Sequence, residues 1–191
     1  MADTGRRFPK LALTPLAVIA LAAPPAPAEA AAAPLDPPAE EVGLSFTLAA
    51  EGVQRYVCTR KEGSPETFEW VLKEPVAKLF ESGHQEVGSH SAGPTWTAKD
   101  GSKVVRKRLV ATADSPTPGA IPWLLLEVEP SGTGLFGTVR YVKRIDTAGG
   151  KAPEPAAAPA GACDAAHAGA IRDVPYTATY VFYVAKPPAK P

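Results

Sequence analysis

The residues best suited to chemistry lie in the middle of the chain, where two of the three histidines flank a glutamate. His84, Glu86 and His90 have the same parity, so on one continuous strand their side chains would share a face. Imidazole and carboxylate groups bind zinc and also act as general acids and bases. Asp100 or Asp164 could complete such a site from elsewhere in the chain. The spacing therefore allows a metal-assisted or acid/base enzyme.

The same segment also has a structural interpretation. Gly88 favours a bulge, which would reset the parity of His84 relative to His90. His84 would then cap a short helix, and His90 would hydrogen-bond loop backbone ahead of Gly93. The pattern His-x-Glu-x-x-x-His matches no zinc spacing of known geometry. The sequence favours the structural role, and we expect no cofactor.

Aromatic side chains offer a different kind of site, the wall of a cleft for a sugar or a small apolar ligand. Trp96 is the ring to test for binding, together with His90 and Tyr56. The alternative is that the rings form the core, as in most small β domains. Trp123 and Tyr180 are the rings that we most expect in the core.

The elements that must position these residues are predicted to be short strands. Alternation of apolar and polar residues recurs between Val42 and Val184, and turns rich in Pro and Gly separate the segments. Only residues 74–82 show helical spacing, with Pro75 early and Gly83 at the end, so one short helix is expected. About seven to nine strands and one helix predict a mainly β fold, an antiparallel β-sandwich or barrel.

The clearest turn signal is the Asp100-Gly101 pair, which predicts a two-residue type I′ hairpin. In that register Lys99 faces Ser102 and Trp96 faces Val105.

The first 30 residues have the features of an export signal. Arg6, Arg7 and Lys10 precede an apolar segment at residues 11–23, and residues 28–30 offer a cleavage site between small residues. The apolar segment is well short of the ~20 residues that a membrane-spanning helix needs. We therefore expect a periplasmic or secreted protein with no transmembrane segment after signal removal. The expected organisation is a signal peptide over 1–30, a disordered Ala/Pro leader over 31–41, a single β domain over 42–184 that contains a long loop over 147–173, and a disordered tail over 185–191.

The two cysteines, Cys58 and Cys163, are expected to form a disulfide, because an isolated pair in an exported protein is more often bridged than free. Closing a loop of roughly 100 residues would remove on the order of 4–5 kcal/mol of chain entropy from the unfolded state. The alternative is a buried thiol at Cys58 and an exposed one at Cys163.

The charge balance argues against one class of partner. Twenty Lys and Arg residues stand against 20 Asp and Glu, whereas a nucleic-acid-binding domain needs a basic face. Residues 103–108 are a basic cluster, but on a strand its charges divide between two faces. We expect no nucleic-acid partner. The expected protein is a monomer that binds an unknown small molecule or an envelope component.

Seven short motifs occur in a distinctive order over most of residues 42–184. They are GVQRYVC at 52–58, GSHSAGPTW at 88–96, DGS at 100–102, IPWLL at 121–125, TAGG at 147–150, CD at 163–164 and VPYTATY at 174–180. In this order the chain resembles the exported bacterial and fungal family catalogued as domain of unknown function 3455. The resemblance implies a shared fold and export, and it is compatible with a disulfide. It supplies no catalytic residue, because the family has no established activity.

Some members of that family carry a malate dehydrogenase label, and Gly132, Gly134 and Gly137 fit the glycine pattern of a dinucleotide site. Such a site needs a strand before the glycines and a helix after them, whose N-terminus holds the pyrophosphate. Here the β-prone residues 138–142 follow the glycines, and no suitable acidic residue lies ~20 positions on. We interpret the pattern as a flexible hairpin turn and not as an NAD site.

Three functions remain open on the sequence alone. The favoured one is a non-enzymatic, exported β domain that binds a small molecule or an envelope or extracellular component through the face with His90 and Trp96. The second is the enzyme, which needs the two histidines to converge in a concave site. The third is a structural surface protein, which predicts no pocket.

Overall fold

The architecture is a closed antiparallel barrel of eight strands in chain order, with β8 returning to pair with β1. The computed structural model describes residues 1, 35–154 and 162–186. The strands are β1 Val42–Arg60, β2 Phe68–Glu81, β3 Gln85–Ser91, β4 Thr95–Ala98, β5 Lys103–Ala113, β6 Trp123–Ser131, β7 Val139–Gly149 and β8 Ile171–Ala185. The mainly β class predicted from the alternating pattern is confirmed, in its barrel form.

Helical structure in the described ranges is limited to one 3₁₀ turn at Ala165–His167. No helix there is long and apolar enough to cross a bilayer. Residues 32–191 form one compact unit, and of residues 1–31 the structure describes only Met1. The predicted export signal, apart from Met1, lies outside the described residues, as does most of the predicted tail.

The short helix predicted over residues 74–82 is wrong. These residues belong to β2, which pairs with β1 from Phe68 to Phe80. Ala77 and Leu79 face the barrel interior while Val76 is exposed, so the apolar residues follow the two-residue alternation of a strand. Pro75 is tolerated because β3 pairs with β2 only from Ala77 onward, and a strand paired on one side accepts proline.

Side chains of alternating size fill the barrel. The residues of β8 that face inward are those the alternation predicts: Tyr176, Ala178, Tyr180, Phe182 and Val184. Small residues on β1 and β2 lie opposite large ones on β3 and β4. Gly52 pairs with Ala77, Ala77 with His90, and His90 with Trp96. A Cβ on Gly52 would lie 2.2 Å from the Val76 carbonyl oxygen, so this position has no room for a side chain.

Strands β8, β1 and β2 continue past one end of the barrel as a three-stranded ribbon. In the described part of the chain, β7 pairs with β8 no further than Tyr176, whereas β1 pairs with both β8 and β2 at Val57. Residues 147–149 and 171–173, which we assigned to a long loop, extend β7 and β8, so the loop spans residues 150–170.

A disulfide fastens this loop to the ribbon. The predicted bond between Cys58 and Cys163 is present, with the two Cα atoms 5.4 Å apart. Cys58 N donates to Ala170 O, and Gly169 N donates to Cys58 O, both at 2.9 Å. Around the bond lies a small separate core of Tyr56, Cys58, Phe68, Trp70 and Cys163.

Residues 35–41, which we expected to be disordered, make defined contacts with the outside of the barrel. Lys143 Nζ donates to Asp36 Oδ1 at 2.6 Å. Leu35 packs against an outer cluster that contains Leu125 and Tyr141. Although this part of the leader lacks regular secondary structure, ion pairing and apolar contact hold it in place.

Candidate functional site

The β4–β5 hairpin, which carries Trp96, differs from the predicted register by one residue. Trp96 pairs with Val104, not with Val105, so the loop has three residues instead of two. Gly101 has a φ of 87°, but Asp100 does not have the positive φ that a type I′ turn requires at both central positions. The reason is local, because Ser102 N donates to Asp100 Oδ1 at 2.8 Å and holds the turn in another form.

The glycine-rich loop between β6 and β7 binds the carboxylate of Asp100. Leu135 N donates to Asp100 Oδ2 at 2.8 Å, and the Ser102 hydroxyl donates to Oδ1 at 2.6 Å. A Cβ on Gly134 would lie 2.3 Å from Oδ2, so a glycine is needed for this approach. Strand β7 follows the loop, and a helix that could hold a pyrophosphate does not. The glycine pattern thus accommodates a carboxylate of the chain itself.

Asp100 is therefore committed to the turn. Its hydrogen bonds from Ser102 and Leu135 hold the pKa of the carboxyl below its usual range. Of the residues that the sequence offered for catalysis, this one has a complete structural role.

His84 lies on the surface, in the turn between β2 and β3. It has a φ of 61°, and its ring stacks on Phe80 with centroids 4.2 Å apart. Its Nδ1 is 3.6 Å from Glu51 Oε1, and its side chain is 67% exposed. It lies in a turn between two strands, not at the end of the helix that we expected it to cap.

Glu86 lies on the outer face of the barrel, between two lysines. Its carboxylate pairs with Lys78 Nζ at 2.8 Å and with Lys99 Nζ at 3.6 Å. The hydrogen bond from Lys78 lowers the pKa of Glu86. Leu79 pairs with Gly88 while Phe80 pairs with Glu86, which leaves Val87 as a bulge. The bulge resets the parity of the strand.

The structure does not bring His84, Glu86 and His90 to one face. The first two face outward, whereas His90 lies inside the barrel. Within the described ranges, no group of three or more His, Cys, Asp or Glu side chains could hold a metal ion.

An open groove of about 470 Å³ lies on this outer face and includes Glu86, Lys78 and Val76 in its lining. The charges on Glu86 and Lys78 already neutralise each other. Glu86 and Lys78 therefore leave no free charge of their own in the groove to select a ligand.

His90 is a neutral side chain in the barrel interior, only 3% exposed. Its Nδ1 lies 2.9 Å from Thr95 O, and because a carbonyl only accepts, the proton is on Nδ1. Burial lowers the pKa of His90 to about 3. The ring stacks on Trp96 with centroids 4.4 Å apart and meets the edge of Tyr180 at 5.2 Å.

Polar side chains in and beside this stack form a set that we call the interior cluster: the buried Gln54, Trp96, Tyr176 and Tyr180 and the half-buried Arg144. Four of them bury a polar atom that forms no hydrogen bond of good geometry in the described part of the chain, although the Tyr180 hydroxyl interacts with the Tyr176 hydroxyl and with Arg144. These atoms are Gln54 Nε2, Trp96 Nε1, Tyr176 Oη and Tyr180 Oη. The four residues are between 1% and 3% exposed. A fifth such atom, Trp123 Nε1, lies at the start of β6.

The members of the interior cluster are neighbours through the sheet. Arg144 pairs with Tyr180 in the β7–β8 ladder and shares the inward face of β7 with Val142. Gln54 Cγ and Tyr176 Cβ flank Gly150, at 3.2 and 2.8 Å from the point that its Cβ would occupy. Tyr180 meets the ring of Trp96 edge-on at 5.3 Å. The cluster is thus continuous from β1 through β8 and β7 to β4.

Arg144 supplies the positive charge of the interior cluster. Its Nε and Nη2 donate to Pro122 O at 3.1 and 2.8 Å. Burial raises the pKa values of Tyr176 and Tyr180, and the positive charge of Arg144 lowers both by a smaller amount. Both hydroxyls therefore keep their protons. The same charge reaches His90 and contributes to lowering its pKa.

Tyr56, the third residue predicted to bind a ligand, lies apart from His90 and Trp96. Its hydroxyl donates to Gly150 O at 2.7 Å, and its ring packs in the small core around the disulfide. Sequence reasoning missed Gln54 and Arg144. Gln54 carried a signal, because it follows Leu48, Ala50 and Gly52 on the inward-facing positions of β1.

A family described as "Protein of unknown function (DUF3455)" has a sequence model that matches residues 38–184. The chain belongs to this family. The match begins shortly before β1 and ends in β8, so it includes the barrel, the disulfide and the interior cluster. Comparison with curated proteins gave no match, and comparison with solved structures gave none. The function of this DUF3455 protein has to be argued from its site.

Proposed function

We propose that this DUF3455 protein binds a small polar molecule at the interior cluster, whose tightly packed side chains separate to admit it. The observation that carries the proposal is the set of four buried polar atoms that lack a hydrogen bond of good geometry, on Gln54, Trp96, Tyr176 and Tyr180. A buried polar group left unsatisfied costs about 1–3 kcal/mol. These four lie in one cluster, where a bound molecule could complete their hydrogen bonds together.

The chemistry of the cluster supports binding more than catalysis. A general base works best when its pKa is near the working pH, and the pKa of His90 is about 3. Tyr176 and Tyr180 have raised pKa values and keep their protons. Asp100, the acid that could have joined a histidine, is held in the β4–β5 turn. No specific observation favours the enzyme or the purely structural surface protein.

The proposal includes export to the periplasm or the exterior. The bond between Cys58 and Cys163 supports it, because such cross-links persist in oxidising compartments and are rare in the cytosol. The signal pattern of residues 1–30 supports the same location.

The test is a search for a bound molecule in protein purified from its export compartment. Native mass spectrometry, compared with the mass under denaturing conditions, should show an additional small molecule. Its occupancy should fall at least tenfold in Tyr176→Phe and Tyr180→Phe, which each remove one hydroxyl from the cluster. Tyr183→Phe is the matched control, because that residue packs on the outer cluster at the other face of β8.

An NMR measurement decides between a ligand and water. The indole N–H resonance of Trp96, assigned with Trp96→Phe, should move when the molecule is removed or added back. If no molecule is bound, and a high-resolution crystal structure shows ordered waters on all four atoms, the proposal is wrong and the cluster is a hydrated core.

A further inference from the structure

We propose that the molecule bound by the interior cluster is a small organic anion, whose carboxylate is held by Arg144 and by the hydroxyls of Tyr176 and Tyr180. This inference rests on the proposed function and adds the chemical class of the ligand. Three features of the cluster lead to it: the kind of hydrogen bond its free atoms make, its charge, and the neutrality of the groups around it.

The free atoms of the cluster are mainly hydrogen-bond donors. Gln54 Nε2 and Trp96 Nε1 can only donate. The hydroxyls of Tyr176 and Tyr180 keep their protons and lie close enough to interact with each other, so an acceptor on a ligand would replace that contact. A ligand that satisfies this set must bring acceptors. A carboxylate has two oxygens with about four lone-pair positions and no donor, so it is the kind of acceptor that these donors need.

The charge of the cluster has the sign that an anion needs. Two N–H groups of Arg144, on Nε and Nη2, donate to the Pro122 carbonyl, which carries no formal charge. The guanidinium also interacts with the Tyr180 hydroxyl, and the N–H groups beyond these contacts remain for a ligand. Among the described residues, no carboxylate forms an ion pair with Arg144. Arginine is well suited to a planar carboxylate because its fork of donors can form two parallel hydrogen bonds.

The groups around Arg144 leave that charge uncompensated. The ionisable side chains that feel its charge are His90 from β3, Tyr56 from β1, and Tyr176 and Tyr180 from β8. All four are neutral at pH 7. Two carboxylates that the sequence placed near His90 are bound elsewhere, Glu86 to outer lysines and Asp100 to the β4–β5 turn. The binding site therefore has a net positive charge.

The test compares acids with amides of the same shape. The probes are acetate with acetamide, butyrate with butyramide, and benzoate with benzamide, each titrated into the signal-free protein after any co-purified molecule has been removed. Chemical shifts of the Trp96 indole N–H give the affinity, and thermal denaturation gives an independent measure. At least one acid should bind ten or more times more tightly than its amide.

Variants at two arginines show whether the preference comes from the cluster. Arg144→Gln should abolish the preference of the site for the acid over the amide. Arg106→Gln is the matched control, because it removes the same charge from an exposed position on β5, and it should leave the preference intact. If Arg144→Gln does not fold, Arg144→Lys provides the second variant. It keeps the charge but loses the fork of donors, and it should weaken acid binding while the acid remains preferred.

The outcomes separate this inference from the proposed function. If an amide binds as tightly as its acid, and both depend on Tyr176 and Tyr180, the barrel binds a ligand but the anion is refuted. A co-purified neutral molecule has the same meaning. If no acid moves the Trp96 resonance and ordered waters occupy the cluster, both proposals fail. An acid preference that survives in Arg144→Gln would also overturn the inference, because the charge would then act from elsewhere.

Discussion

Removing the disulfide should lower the free energy of unfolding by several kcal/mol, mainly through the unfolded state. The bond joins residues separated by 105 positions. A loop of that length restricts the unfolded chain by ~4.7 kcal/mol of entropy at 25 °C. The Cα separation of 5.4 Å lies within the usual range for disulfides, so native distortion should subtract little from this value.

The assay is urea unfolding of the double variant Cys58→Ala/Cys163→Ala, followed by circular dichroism. Both sulfur atoms are buried in the small core beside the ribbon, so their loss adds about 1 kcal/mol of lost packing. The expected total is ~4–6 kcal/mol, together with a larger m-value, since the unfolded chain becomes more expanded.

Reduced wild-type protein separates the two contributions, because it loses the cross-link but keeps both sulfur atoms. Dithiothreitol should therefore produce most of the destabilisation in the wild type and none in the double variant. A reduced wild type that unfolds within about 1 kcal/mol of the oxidised form would refute the reasoning, since the entropy estimate requires far more.

Three further changes test other parts of the structure. The folded state keeps His90 neutral, with a pKa of about 3, whereas the unfolded state binds a proton below about pH 6.5. The free energy of unfolding should therefore fall as the pH drops from about 6.5 towards 3, by up to ~1.4 kcal/mol per pH unit. In urea titrations at pH 7 and 4.5, His90→Gln should show less of this fall, and the exposed His84→Gln should show all of it. Gly52→Ala should lower the free energy of unfolding by about 1–3 kcal/mol, because its Cβ would lie 2.2 Å from the Val76 carbonyl oxygen. Gly43→Ala is the control: its Cβ would have nothing within 4 Å, so the free energy of unfolding should change by less than about 0.5 kcal/mol. Equal effects of the two substitutions would contradict the packing argument. Asp100→Asn should speed hydrogen exchange at the Leu135 amide, which donates to that carboxylate, and unchanged exchange there would show that the contact is not maintained in solution.

Strands with one apolar face were predictable, since burial alone sets their alternation. Strand β8 is the clearest case, with Tyr176 and Tyr180 on the inward face as expected. The helix over residues 74–82 was mispredicted because its apolar residues fit two periods, and only pairing with β1 selects the strand. The hairpin at Asp100 was placed correctly but shifted by one residue, because hydrogen bonds from Ser102 and a distant loop determine the turn.

The candidate site was less predictable than the fold. His90 and Trp96 were selected from the sequence, and the structure places them in one stack. Their link to Gln54 and Arg144 depends on barrel closure, which brings β1 and β7 to the two edges of β8. A period-two pattern identifies which face a side chain takes, but not which strands become neighbours. The outward position of Glu86 depends on the bulge at Val87, and the position of such a bulge cannot be fixed from one glycine.

The two segments that flank the barrel meet at its surface. Lys186 N, just after β8, donates to Glu41 O, just before β1, at 2.9 Å. The segments just before β1 and just after β8 are therefore adjacent, so the order in which the strands are connected can be changed without altering which strands pair. A circular permutant that joins these segments through a short flexible linker, and opens the exposed turn at Gly63, would retain every strand pair. In such a permutant β1 and β8 become a continuous hairpin, so the seam that closes the barrel, the most remote pairing along the natural chain, becomes a local contact.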